Sequence, residues 1–152
     1  MRSFPLPHEV FQSKADPLLM KVLLDEQIDV RMKGLLADFE VFTLHDLGWL
    51  GLKNGELREE MHTHDFQFLV TADKNMPFQQ NLGTIRFSLL LLDTPFLLWT
   101  YQEMFVPKLR DFLNNHPDTL PRIVHFSVEG LSKGVKKNAL LRMVGAEQVL
   151  FL

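Results

Sequence analysis

Several carboxylates in this chain follow short apolar runs. Asp25 and Glu26 come after Val22-Leu23-Leu24, Asp73 comes after the stretch Phe66 to Thr71, and Asp93 ends the run Phe87 to Leu92. If those runs are neighbouring parallel strands, groups just beyond their carboxyl ends converge on one edge of the sheet, at the point where strand order reverses. Glu56, in the first turn of a helix expected from Asn54, and Asp46, in the loop before it, can approach the same edge. Crowded carboxylates repel and raise one another's pKa, so such a group needs a cation, a shared proton or basic partners. A hard divalent ion, Mg²⁺ or Mn²⁺, meets that need; it can also orient a water and neutralise charge developing on a phosphodiester. Asp25 and Asp73 stand out because each directly follows an apolar run. Other uses are open for the rest: Glu26 as a cap for the next helix, Glu56 as a favourable charge at a helix N-terminus, and Asp93, beside Thr94-Pro95, as a turn residue.

The remaining chemistry-bearing side chains make weaker patterns. His62 and His64 lie two apart near an expected helix end, where an exposed frayed turn is a better account of them than a metal; His45 beside Asp46 and His125 within the fifth strand have similarly weak claims. No Gly-rich phosphate loop, Gly-x-Ser-x-Gly or His-Glu-x-x-His occurs, so nucleophilic hydrolases and nucleoside triphosphatases drop out. With no cysteine, disulfides and thiolate sites are excluded and any metal must bind oxygen or imidazole.

The elements that would position these groups alternate in type. Lys21 to Leu24 reads as a strand buried on both faces, and Ile28, Met32, Leu35 and Leu36 give a helix ending before Glu40. Val41 to Leu44 reads as a second strand, Gly48 to Gly51 as a loop around Trp49, and Asn54 as the N-cap of a helix to about His62. Phe66 to Thr71 and Phe87 to Leu92 are the third and fourth strands, with a short helix or turn over Pro77 to Leu82 between them. A helical stretch from Leu97 to Asn114 must kink or restart at Pro107, and Arg122 to Val128 alternates as a fifth strand. Alternating strands and helices predict an α/β fold with right-handed crossovers and a mainly parallel sheet.

The chain of 152 residues, 46% hydrophobic, is long enough for one core and too short for two ordinary domains. It divides into an N-terminal extension 1–19, a domain 20–130 and a tail 131–152. Met20 stands where an alternative start would fall. The tail carries Lys133, Lys136, Lys137 and Arg142 against Glu147, fitting a solvated helix with a packed apolar end or an RNA- or partner-facing appendage. Sixteen basic and nineteen acidic residues leave a net charge of −3, so nucleic acid contact needs a local patch. No segment has the length of a membrane span, and a soluble cytoplasmic protein is expected.

Val22-Leu23-Leu24-Asp25-Glu26, then His45-Asp46-Leu47-Gly48-Trp49 with Gly51-Leu52-Lys53-Asn54-Gly55-Glu56-Leu57, then Val70-Thr71-Ala72-Asp73-Lys74-Asn75 with Gln79-Gln80-Asn81-Leu82, resemble the bacterial PIN-like proteins regarded as toxins of toxin–antitoxin pairs. The resemblance spans Met20 to Asp93. It implies a PIN-type three-layer α/β/α fold with a central parallel sheet and an endoribonuclease dependent on Mg²⁺ or Mn²⁺, with RNA as substrate and a cognate antitoxin as partner. It further implies that Asp25, Glu56 and Asp73 are catalytic, that these three with Glu26 hold the metal, and that Asn75 supports them. Lys74 becomes a candidate phosphate contact, and Trp49 and Phe78 candidates for stacking a base, with core packing the alternative for both aromatics. Two other readings stay open: a catalytically silent PIN-like fold that binds partners, and a phosphoacceptor receiver domain. The second rests on Asp25-Glu26 and Asp73-Lys74-Asn75-Met76-Pro77, although Val128-Glu129-Gly130 lacks the lysine a receiver carries after its fifth strand. The apolar residues Leu98, Trp99, Tyr101, Met104 and Phe105 suit either core burial or a homodimer surface.

Overall fold

Short runs rich in Leu, Val and Phe have too few residues for stable isolated helices and pair instead into a sheet whose two faces both need cover. The computed structural model describes residues 20–76, 85–94, 96–116, 123–127 and 148–151. Its strands are β1 (Lys21–Leu24), β2 (Glu40–Thr43), β3 (Phe68–Thr71), β4 (Ser88–Asp93), β5 (Ile123–Ser127) and β6 (Gln148–Phe151). They form one sheet in the order β2-β1-β3-β4-β5-β6, with every pair parallel. The helices are α1 (Arg31–Leu35), α2 (Leu44–Leu47), α3 (Asn54–Thr63), α4 (Trp99–Glu103) and α5 (Val106–Asn114).

The pleat sends alternate residues to opposite faces, and each face has its own core. Val22, Leu24, Phe68, Val70, Leu90, Leu92, Val124 and Phe126 pack with Met32 of α1 and with Val106, Leu109, Phe112 and Leu113 of α5. Leu23, Phe42, Leu69, Leu89 and Ile123 pack on the other side with Leu44 and Leu47 of α2, Leu57 and Met61 of α3, and Trp49. The expected α/β architecture is therefore present, an all-parallel sheet with helices on both faces.

Element boundaries depart from the sequence reading where polar groups intervene. The second strand stops at Thr43, not Leu44, because Thr43 caps α2: its hydroxyl accepts from Asp46 N (3.0 Å) and Asp46 Oδ2 accepts from Thr43 N (2.9 Å). Gly48 ends α2 at φ 70°, a left-handed turn that brings Trp49 inward. The third strand begins at Phe68 rather than Phe66, since Phe66 packs edge-on against Trp49 and Phe42. Lys53 takes the N-cap position expected of Asn54. The helical stretch 97–114 divides into α4 and α5, with Pro107 in the first turn of α5, the restart its fixed φ allows. Within that stretch Phe105 is buried in the core and Trp99 packs against it, whereas Leu98 and Met104 are exposed.

Past residue 130, the boundary expected for the domain, residues 148–151 add a sixth strand to the sheet where a packed helix end was one expectation. The extension 1–19, the turn 77–82 and the basic part of the tail lie outside the described residues.

Phe68 is fully buried with its ring 6.2 Å from that of Phe112. Phe68→Ala is expected to cost about 3–5 kcal/mol in urea denaturation. Leu97→Ala, at a site 53% exposed, should stay within about 0.5 kcal/mol.

Candidate functional site

In the order β2-β1-β3, strand β1 is flanked by one strand on each side, so the chain reverses direction across the sheet there. The crevice beyond the carboxyl ends of β1 and β3 is the position where doubly wound sheets bind ligands. Asp25 follows β1 at this point. Its backbone N–H still bonds Val70 O of β3 (2.9 Å), which holds the residue at the sheet edge. The carboxylate is buried, and its Oδ2 accepts the hydroxyl of Thr71 at 2.8 Å. The same Thr71 oxygen accepts from Asp73 N (3.0 Å), and Asp73 Oδ1 accepts from Asn75 N (2.9 Å). One buried hydroxyl thus ties the ends of β1 and β3 together, and an Asx-type turn shapes the backbone after Asp73.

Two clefts open from this edge. The smaller, about 330 Å³, is lined by Asp25, Glu26, Asp73 and Asn54 with Leu57 and Met76 at its apolar wall. The larger, about 620 Å³, lies between the ends of β1 and β2 and shares Asp25 and Glu26. Among the described residues, neither lining includes a lysine or arginine. Burial pushes the Asp25 carboxyl above its ordinary pKa; the Thr71 hydroxyl and the Glu26 backbone pull it down, while the negative charges of Glu26 and Asp73 push it further up. The loop carrying Glu26 is clamped from α4: buried Gln102 donates to Gln27 O (2.9 Å) and accepts from Asp29 N (2.7 Å).

The structure therefore brings together Asp25, Glu26 and Asp73 of the expected set. Glu56 is not among the described residues lining either cleft. Glu56 Oε1 accepts from Lys53 N (3.1 Å), the helix-capping role that was its alternative. Asp46 is likewise committed: burial alone would raise its pKa, but bonds from Lys33 Nζ (2.6 Å) and Thr43 outweigh this and hold it below the usual range. Trp49 cannot stack a base, because it is fully buried between Phe66 and His64. Phe78 lies outside the described residues. His62 accepts from Arg86 N (3.0 Å), and burial with nearby Arg86 and Arg58 lowers its pKa.

Asp93 is the main correction. It is no solvated turn residue: it ends β4 buried, with Oδ1 3.1 Å from Lys74 Nζ and Oδ2 2.9 Å from His125 Nε2. Sequence reasoning gave Thr71 no role and His125 only a weak one. Their signal was a polar side chain interrupting an apolar strand run, which demands a buried partner.

Among the described residues, no three Asp, Glu or His side chains stand close enough to enclose a metal ion by themselves. Asp25 and Asp73 still fit Mg²⁺ or Mn²⁺, since such ions are commonly held by one or two carboxylates, with water and substrate phosphate completing the shell. No helix among the described residues is long and apolar enough to cross a membrane. No protein-family model, curated protein or solved structure matches the chain.

The raised pKa of Asp25 gives a signed expectation. A carboxyl raised in the folded state favours folding at low pH and loses that contribution as pH rises through its folded pKa, so ionised Asp25 weakens the fold at neutral pH. Asp25→Asn, which still accepts from Thr71, should have a higher urea midpoint than wild type at pH 7. The gain should shrink as pH falls towards the ordinary value of 3.8. A lower midpoint at pH 7 would show that the carboxylate is already compensated.

Proposed function

We propose that the chain is a PIN-like, metal-dependent endoribonuclease, the toxin of a toxin–antitoxin pair acting in the cytoplasm. The observation that carries this reading is the meeting of Asp25, Glu26 and Asp73 around one cleft whose described lining residues include no lysine or arginine. Acidic groups lining one cleft with no lysine or arginine among its described lining residues favour a bound cation, and oxygen ligands select a hard one. Asp25 and Asp73 would hold Mg²⁺ or Mn²⁺, with Glu26 within the same lining. Bound there, the ion supplies charge neutralisation at the phosphodiester and a water of lowered pKa.

The protein's own contribution is orientation. Thr71 fixes the Asp25 carboxylate and links it to the Asp73 backbone, and the Asx-type turn sets Asp73 at the cleft. In hydrolysis, water would add to phosphorus as the bond to the leaving sugar oxygen breaks, a cleft carboxylate would take the water's proton, and solvent would protonate the departing oxygen. Asn75, exposed on the turn, supports Asp73 through its backbone N–H. The antitoxin is the partner this reading requires.

A second reading has one observation in its favour. The order 2-1-3-4-5 is also that of receiver domains, and Asp73 follows β3 where a phosphoacceptor would sit. Thr94, beyond β4, is buried and donates to Phe96 O (2.9 Å). Incubation with a small phosphodonor followed by mass measurement decides: a phosphate on Asp73 would establish the receiver reading.

For the leading reading, Mn²⁺ titration by calorimetry should give saturable binding that Asp25→Asn/Asp73→Asn abolishes. Binding should also raise the melting temperature, more at pH 7 than at pH 5, because the ion competes with protons for the carboxylates. Single-stranded RNA should be cleaved by wild type, with either Asn variant reduced at least about 100-fold, the scale on which losing a group that stabilises the transition state acts. Metal binding without cleavage would instead identify a silent, partner-binding PIN-like fold.

A further inference from the structure

Leu69 and Thr71 of β3, Leu89, Leu91 and Asp93 of β4, and Ile123, His125 and Ser127 of β5 lie at alternate positions, so they share one face of the sheet. It is the face covered by α2 and α3, and Leu23 of β1, two residues before Asp25, lies on it too. At the carboxyl end of that face the apolar residues give way to a polar row: Asp25, Thr71, Asp93, His125 and Ser127, every one buried. Registers Leu91↔His125 and Asp93↔Ser127 make His125 a diagonal neighbour of Asp93, and Nε2–H donates to its carboxylate at 2.9 Å. Asp93 is 8% exposed at its side chain, yet its other oxygen holds Lys74, a side chain 50% exposed, at 3.1 Å.

Resting on the phosphodiester reading, we infer that Asp93 and His125 are positioning residues that station the Lys74 ammonium beside the carboxylate cleft to receive a phosphate of a single-stranded nucleic acid. A buried carboxylate costs several kcal/mol of desolvation unless paired, so Asp93 has strong reason to keep a cation. His125 holds the second oxygen and leaves the first aimed at Lys74; its own Nδ1 is buried with no hydrogen-bond partner. Lys74 immediately follows Asp73, so its side chain reaches from the turn after β3 to the end of β4, while Asp73 itself is held by Thr71 and Asn75 N. Three strand ends then line up along the edge: Asp25 after β1, Asp73 after β3, and the Lys74–Asp93 pair after β4. A cation one strand beyond an acid-bound metal suits a polyanion lying across the strand ends, with one phosphate at the carboxylates and the next at Lys74. It also supplies a local positive group on a chain whose net charge is −3.

The test pairs fluorescence anisotropy of a labelled single-stranded oligoribonucleotide, its length verified after each measurement, with Mn²⁺ calorimetry. Lys74→Gln and Asp93→Asn should each weaken oligonucleotide binding about tenfold, and the double variant should be no weaker than Lys74→Gln, since both act through one ammonium. Lys74→Arg should keep most of the affinity, and Mn²⁺ affinity should be unchanged in all four. Lys74→Gln alters a half-exposed side chain and keeps the test decisive even where Asp93→Asn lowers the melting temperature. Wild-type affinity in Lys74→Gln or in folded Asp93→Asn, or additive losses in the double variant, would overturn the inference. So would a wild type that binds Mn²⁺ but no oligonucleotide, which leaves the metal reading standing. Lys74-dependent oligonucleotide binding without any Mn²⁺ binding would uphold the inference and remove the metal reading instead.

Discussion

The hydroxyl of Thr71 is the joint on which the site depends. It donates to Asp25 and accepts from the Asp73 backbone, so two segments far apart in sequence are fixed to one oxygen atom. The joint works because Thr71 is fully buried at the end of a strand that is itself buried on both faces. Away from water, a hydrogen bond to an ionised group is worth more, and its loss costs more, than on the surface. The all-parallel sheet supplies the setting. Covering both faces with helices leaves only the strand ends for polar work, and the reversal of strand order at β1 opens the crevice in which that work can occur.

Around this joint the acidic residues divide by what already holds them. Asp46 and Glu56 accept backbone N–H groups at helix starts, so their charge is spent on the local fold. Asp93 is matched by Lys74 and His125. Asp25 is instead buried with a neutral hydroxyl and two like-charged neighbours; burial above all, and then those charges, raise its pKa against the pull of the Thr71 hydroxyl. Functional sites keep such unfavourable groups where a ligand can relieve them, and Asp25 stands at a topological switch point.

Much of the fold was legible because its signals are strong and local. Apolar runs ending in acids gave β1, β3 and β4, and Pro107 announced the restart at α5. The convergence of Asp25 and Asp73 followed from topology alone. What was not legible depended on contacts between segments distant in sequence. Nothing local says that Glu56 caps its own helix instead of reaching the edge, or that Gly48 at positive φ turns Trp49 inward against Phe66. Asp93 looked like a turn residue because its partners lie 19 positions before it and 32 after it, at Lys74 and His125. Strand order, too, is a property of pairing, and β6 sits beyond a basic stretch that reads as a tail.

That last strand has a practical consequence for anyone handling the protein. By pairing in parallel with β5, residues 148–151 turn what would be an exposed border, Ile123-Val124-His125-Phe126-Ser127, into an interior strand. A border so apolar, with unpaired backbone N–H and C=O groups, is a template for chain-to-chain association. Loss of residues 148–151 would therefore create a sticky seam, and would do so beside the histidine that anchors Asp93.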